Sequence, residues 1–211
     1  MNGRIVTNSM GLDDSHIIEL EAEEVPNSED EKAHPNFIES NTSAITLDEL
    51  TSKCIIPTFA DNTLTISHQN FIASVINAAE KVFGPLTPVE IRVSHPINGR
   101  TPQAQLKKPS ELTDEDKTLF YQRMAFCCHV EGLVKTVNDQ PVHLCIGGVR
   151  SYSEDKLYNR PMPQKFRVFV GWQVRVCSNM MLTCDGNSGT IEAMTEADIL
   201  QKAINLFNVF D

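Results

Sequence analysis

The clearest periodic signal along the chain is helical. In HQNFIASVINAAEKVF, residues 68–83, the positions Phe71, Val75, Ala78, Ala79, Val82 and Phe83 recur at helical spacing and form one apolar face. Ser67 stands at the N-cap position, and Gly84-Pro85 closes the segment. The period then changes to two. VEIRVSH, residues 89–95, alternates as a strand, and KFRVFVGWQVRV, residues 165–176, does so more strongly. Its Phe166, Val168, Val170, Trp172, Val174 and Val176 share one face, while Arg167, Phe169, Gln173 and Arg175 take the other. MAFCCHVEG and VHLCIGGV read as two further strands, separated by the turn signal Asn138-Asp139. Thr195 caps a final helix with a stripe of Leu200, Ile204 and Phe207, and Thr46 caps a short one with Asp48 and Glu49 in its first turn.

The remaining segments are less regular. CIIPTFA, residues 54–60, reads as a short strand that Pro57 confines to an edge or a bulge. Residues 96–112, PINGRTPQAQLKKPSEL, read as a long proline-containing loop. Thr113 with Asp116 is placed to cap a helical turn through DEDKTLFYQ, and Asp185-Gly186 signals a turn. Segregated helices and antiparallel-type strands predict an α+β single domain, mainly antiparallel sheet, with strands near 89–95, 121–131, 142–149 and 165–177. The apolar stripe of the 165–176 strand is expected against helix 68–83, which leaves the arginine face open.

Charge divides the chain. Residues 1–60 hold 12 Asp/Glu against 3 Lys/Arg, and residues 61–211 hold 16 against 15, so the overall −10 comes almost wholly from the N-terminal part. Residues 1–34 lack aromatics and apolar periodicity and read as a disordered acidic tail, with the α+β domain at 35–211. No stretch is apolar enough to span a bilayer, and no signal-peptide core is visible, so a cytoplasmic protein without a membrane partner is expected. Six cysteines, at 54, 127, 128, 145, 177 and 184, then read as free, buried thiols.

Few motifs carry chemistry. IGGVRS has neither glycine spacing of a phosphate-binding loop. CDGNSG, residues 184–189, is superficially like a serine-protease nucleophile region but lacks the flanking residues and an upstream histidine segment, so it reads as a polar turn. His68 and His95 are isolated, and His68 reads as a surface residue of a first helical turn. Alternation puts Cys127 and His129 on one face of one strand and His143 and Cys145 on one face of another. If the two strands pair, four zinc-type ligands converge. A second constellation is basic and aromatic: Arg150, Tyr152, Lys156, Tyr158, Arg160, Lys165, Arg167 and Arg175, alongside Phe169. Between 92 and 175 the chain carries 13 Lys/Arg and 8 Asp/Glu, a net of +5, and cations with exposed rings suit phosphates and bases.

The pieces FYQRMAF, IGGVRSY, KLYNRP, KFRVFVGWQVRVCSNMMLTCDG and CIIPTFADNTLTISHQNFI together resemble an uncharacterised bacterial domain family, over roughly residues 35–205. The family's members occur in genomes rich in conjugative and phage elements. Through Val176-Cys177-Ser178-Asn179 the chain is also distantly similar to phage/plasmid-like proteins with a V-C-x-N segment. The resemblance implies a mobile-element-associated accessory protein and supplies no catalytic residues. Members usually run on past the point where this chain stops, so a short or truncated version is expected. The residues and the resemblance together predict a non-enzymatic domain, without cofactor, that binds single-stranded nucleic acid or a protein partner. The runner-up is an enzyme or metal-binding domain built on the Cys/His cluster.

Overall fold

The computed structural model describes residues 41–56, 65–155, 162–174, 181–182 and 187–210, all within the unit Pro35–Asp211. The expected tail, the loop tip at 156–161, the V-C-x-N segment and the Asp185-Gly186 turn lie outside the described residues. The architecture is α+β. Strands β1 (Ser43–Ile45), β2 (Glu90–Arg100), β3 (Lys117–Val137), β4 (Gln140–Ser151) and β5 (Gln164–Val174) follow one another across an open antiparallel sheet. β6 (Met181–Leu182) and β7 (Asn187–Ala193) lie end to end along the far edge of β5. Three α-helices complete the fold among the described residues: α1 (Leu47–Lys53), α2 (His68–Phe83) and α3 (Glu196–Asn208). None of the described helices is long and apolar enough to cross a membrane.

Local chemistry sets the helix ends where the sequence predicts them. The Ser67 hydroxyl accepts from the Asn70 amide at 3.1 Å, and Gly84 closes α2 at φ 94°, a left-handed value that favours glycine. Thr46 and Thr195 form capping boxes with Glu49 and Asp198. Between β3 and β4, Asn138 and Asp139 both take positive φ, 49° and 61°, the two-residue hairpin turn that matches strand twist.

The core uses one parity of each strand. Ile91 and Val93 from β2, Met124, Phe126, Cys128 and Val130 from β3, Leu144 and Ile146 from β4, and Phe166, Val168 and Val170 from β5 form one cluster with the helices. Phe71 of α2 sits at its centre, edge-on to Phe126 at 5.5 Å and tilted against Phe166 at 4.8 Å. Gly148 makes room for it, since a Cβ there would stand 2.7 Å from Phe71 Cζ. Phe83 of α2 meets Phe207 of α3 at 5.6 Å, so the two long helices cover the same side of the sheet. The stripe expected against helix 68–83 packs with it through Phe166, Val168 and Val170, with Trp172 partly buried beside them, and Val176 lies outside the described residues.

Several local expectations are overturned. The segment from Pro96 to Arg100 is the second half of β2, paired with β3 as far as Arg100–Lys117. Pro96 is tolerated because β1 covers β2 only at Ile91–Val93, and among the described residues no strand pairs with the outer edge beyond. The helical turn expected through DEDKTLFYQ shrinks to a 3-10 turn at Asp114–Asp116, and β3 begins at Lys117. Of the expected 54–60 strand, residues 54–56 are described, and they show an isolated bridge, Cys54 to Leu119, with the Ile55 amide donating to the Leu119 carbonyl at 3.0 Å. Of the CDGNSG segment only Asn187, Ser188 and Gly189 are described, and they belong to β7, with Ser188 paired to Phe169.

Candidate functional site

The second parity of the strands carries the polar chemistry. Ladder registry aligns its residues in rows. Arg92, Ala125, Val149, Arg167 and Thr190 form one row, and Glu90, Cys127, Gly147, Phe169 and Ser188 the next. His129, Cys145 and Gly171 form a third, and His143 pairs with Gln173 in a fourth. Small residues hold the middle: Ala125, Cys127, Cys145 and Gly147 are buried under longer neighbours. Phe169 is one of these, because a Cβ on Gly147 would fall 2.4 Å from its ring. Arg123, Lys165 and Arg167 are exposed on the same face. Arg167 Nη2 donates to both carboxylate oxygens of Glu154, at 3.0 and 2.8 Å, in a surface ion pair.

Of the four Cys/His residues that alternation puts together, Cys127, His129 and Cys145 converge, and His143 stands outside their group. Cys145 lies directly across from His129, and Cys127 is its diagonal neighbour. The ligand atoms of Cys127, His129 and Cys145 all lie within 4.8 Å of one another, and the two Sγ atoms are 2.8 Å apart. The His143 ring stands 5.9 Å from that of His129, edge to face. A register shift between His129 and Val134, with Gly132 at φ 75°, sets how the two histidines meet. The hydrogen bond to Cys145, and then burial, hold the Cys127 thiol well above its ordinary pKa. Cys54, Cys127, Cys128 and Cys145 are all free thiols.

The basic and aromatic constellation divides. Lys165 and Arg167 are on the surface, whereas Lys156, Tyr158, Arg160 and Arg175 lie outside the described residues. Arg150 and Tyr152 were expected on the positive surface, and the structure corrects this: both are interior, at 1% and 3% exposure. The reason is parity. Arg150 extends the core-facing side of β4 beyond Gly148, where its guanidinium is held between the rings of Tyr152 and Phe166, 4.5 and 4.4 Å away. It donates to the Ile66 carbonyl, to Gln164 Oε1 and to Asp155 Oδ2.

His68 is a second correction. The first residue of α2 points inward, 2% exposed, with its ring stacked 4.3 Å from Tyr152. Nε2 donates to the Tyr121 carbonyl at 2.9 Å, which fixes the tautomer. Burial, reinforced by the Arg150 charge, lowers its pKa to about 3, and burial lifts the Tyr152 hydroxyl to about 12. Sequence reasoning missed Gln164 and Asp155, the partners of Arg150. Asp155 follows it by five residues, but nothing in the sequence marks Gln164.

An open antiparallel sheet with helices on one face and a polar, cysteine-bearing face opposite defines an α+β domain of two unlike surfaces. The chain belongs to the DUF3871 family ("Domain of unknown function, B. Theta Gene description"), whose family model matches residues 18–211. No curated protein and no solved structure matches the chain.

Proposed function

We propose that this DUF3871 member is a non-enzymatic accessory domain that binds single-stranded nucleic acid on the face of its sheet opposite α2 and α3. The observation that carries the reading is the line Lys165, Arg167 and Phe169 on one face of β5, two exposed cations beside a half-buried ring. Arg123 extends the cationic surface onto β3. Ammonium and guanidinium groups suit phosphates, and a ring on an open sheet suits a base. The Arg167–Glu154 pair is exposed and worth under about 1 kcal/mol, so a phosphate can compete for the guanidinium. A role in phage, plasmid or conjugative elements goes with this reading. Its support is the sequence resemblance, including Val176-Cys177-Ser178-Asn179.

Fluorescence anisotropy of the full chain with a labelled single-stranded oligonucleotide tests the reading. Binding should weaken with salt along a log–log slope of about −0.7 per phosphate contact. Replacing Lys165 and Arg167 together with Ala should flatten that slope, and Phe169→Ala should weaken binding by about 1–3 kcal/mol if the ring stacks on a base. Failure of the wild-type chain to bind at low salt would overturn the reading and leave the face to a protein partner.

A further inference from the structure

The Cys/His cluster carries an inference independent of nucleic-acid binding. We infer that Cys127, His129 and Cys145 form a binding site for a thiophilic divalent cation, zinc foremost, with His143 as the fourth ligand. The donor set is the first argument. Two thiols and two imidazoles make the Cys2His2 combination of closed, four-coordinate zinc sites. Harder cations such as magnesium and calcium prefer the oxygen ligands that the cluster lacks.

Geometry is the second argument. Three donor atoms already lie within 4.8 Å of one another, held by a regular ladder rather than by a loop. Tetrahedral zinc with Zn–S bonds of about 2.3 Å separates two thiolates by about 3.8 Å. The present 2.8 Å between the sulfurs therefore needs to open by only about 1 Å to admit the ion. The surroundings allow this. Gly147, directly opposite Cys127, brings no side chain between the sulfurs, and the Phe169 ring lies over it. His143 is exposed, so its ring has room to turn toward the half-buried His129, 5.9 Å away. Cys128 is excluded by alternation, since it faces the helices and donates to the Ile146 carbonyl at 3.7 Å.

The test uses the full chain, freed of any affinity tag and prepared under reducing conditions. Equilibration with zinc followed by desalting and elemental analysis should give about one zinc per chain. Cobalt substituted for zinc should give the thiolate-to-metal charge-transfer band of a tetrahedral site. Cys127→Ser combined with Cys145→Ser should abolish both signals. His143→Ala should weaken zinc retention without removing the thiolate band, and Cys54→Ser should change neither. Zinc should also protect two thiols of the wild-type chain from a thiol reagent, a readout that needs no variant to fold. A wild-type cobalt spectrum without a thiolate band would overturn the proposal. So would full zinc retention by the folded double variant, or peptide mapping that finds Cys127 and Cys145 joined in a disulfide in the protein as isolated.

Discussion

Arg150 Nη2 donates to Gln164 Oε1 at 2.6 Å, with both side chains in the interior. The same oxygen accepts from the Ile66 amide at 3.0 Å, so one glutamine joins the start of β5 to the segment that leads into α2. Arg150 completes the junction through the Ile66 carbonyl and through Asp155, which also accepts from the Lys165 amide at 2.8 Å. The buried charge is offset at Nη1 and Nη2, which meet oxygens, and at its faces, which meet rings, while Nε is buried without a hydrogen-bond partner. Arg150→Met should cost about 3–5 kcal/mol, since it leaves the buried Asp155 carboxylate without its ion-pair partner and removes one of the two donors to Gln164 Oε1. Urea denaturation followed by circular dichroism measures it, and a loss within experimental error would show that the junction contributes nothing to stability.

His68 makes stability depend on pH. Its folded pKa, about 3, lies below the ordinary 6.5, so between these values the unfolded chain binds a proton that the native chain does not. The contribution is fully present above the unfolded pKa and is lost as pH falls toward 3, at no more than about 1.4 kcal/mol per pH unit. Arg150, across the Tyr152 ring, acts in the same direction. Denaturation midpoints from pH 7 to pH 4 should decline for the wild type and more gently for His68→Gln. Parallel declines would place the titration elsewhere.

Two adjacent glycines are required for different reasons. A Cβ on Gly147 would stand 2.3 Å from the Phe126 carbonyl oxygen, which the backbone holds fixed, as well as against the Phe169 ring. On Gly148 the nearest atoms belong to the rings of Phe71 and Phe126, at 2.7 and 2.8 Å, with the Arg167 carbonyl oxygen at 3.0 Å. Gly148→Ala should cost about 1–3 kcal/mol by overpacking the core, and Gly147→Ala should cost more. Thermal unfolding of the two variants gives the order directly, and the reverse order would contradict this account.

The α3 capping box gives a milder expectation. Thr195 Oγ1 accepts from the Asp198 amide at 3.1 Å, and Asp198 Oδ2 accepts from the Thr195 amide at 3.0 Å. Thr195→Ala should destabilise the protein by about 1 kcal/mol. Thr195→Ser should recover most of that, which separates capping from loss of the methyl group.

The sequence by itself determined the elements whose causes are local. Ser67, Gly84, Thr195 and Asn138-Asp139 carry their signals within a few residues, and the structure places the helix ends and the hairpin turn on them. The meeting of Cys127, His129 and Cys145 was legible for the same reason, because alternation fixes the face and the short hairpin fixes the partner. Pairing decided the rest. Pro96 and Asn98-Gly99 look like a loop in isolation, yet β3 holds them in the sheet through hydrogen bonds to residues some twenty positions away. Burial of single polar residues was likewise a tertiary decision. An arginine and a histidine read as surface groups until partners distant in the chain satisfy them, and Ile66, Tyr121 and Gln164 reach Arg150 and His68 only once the sheet has formed.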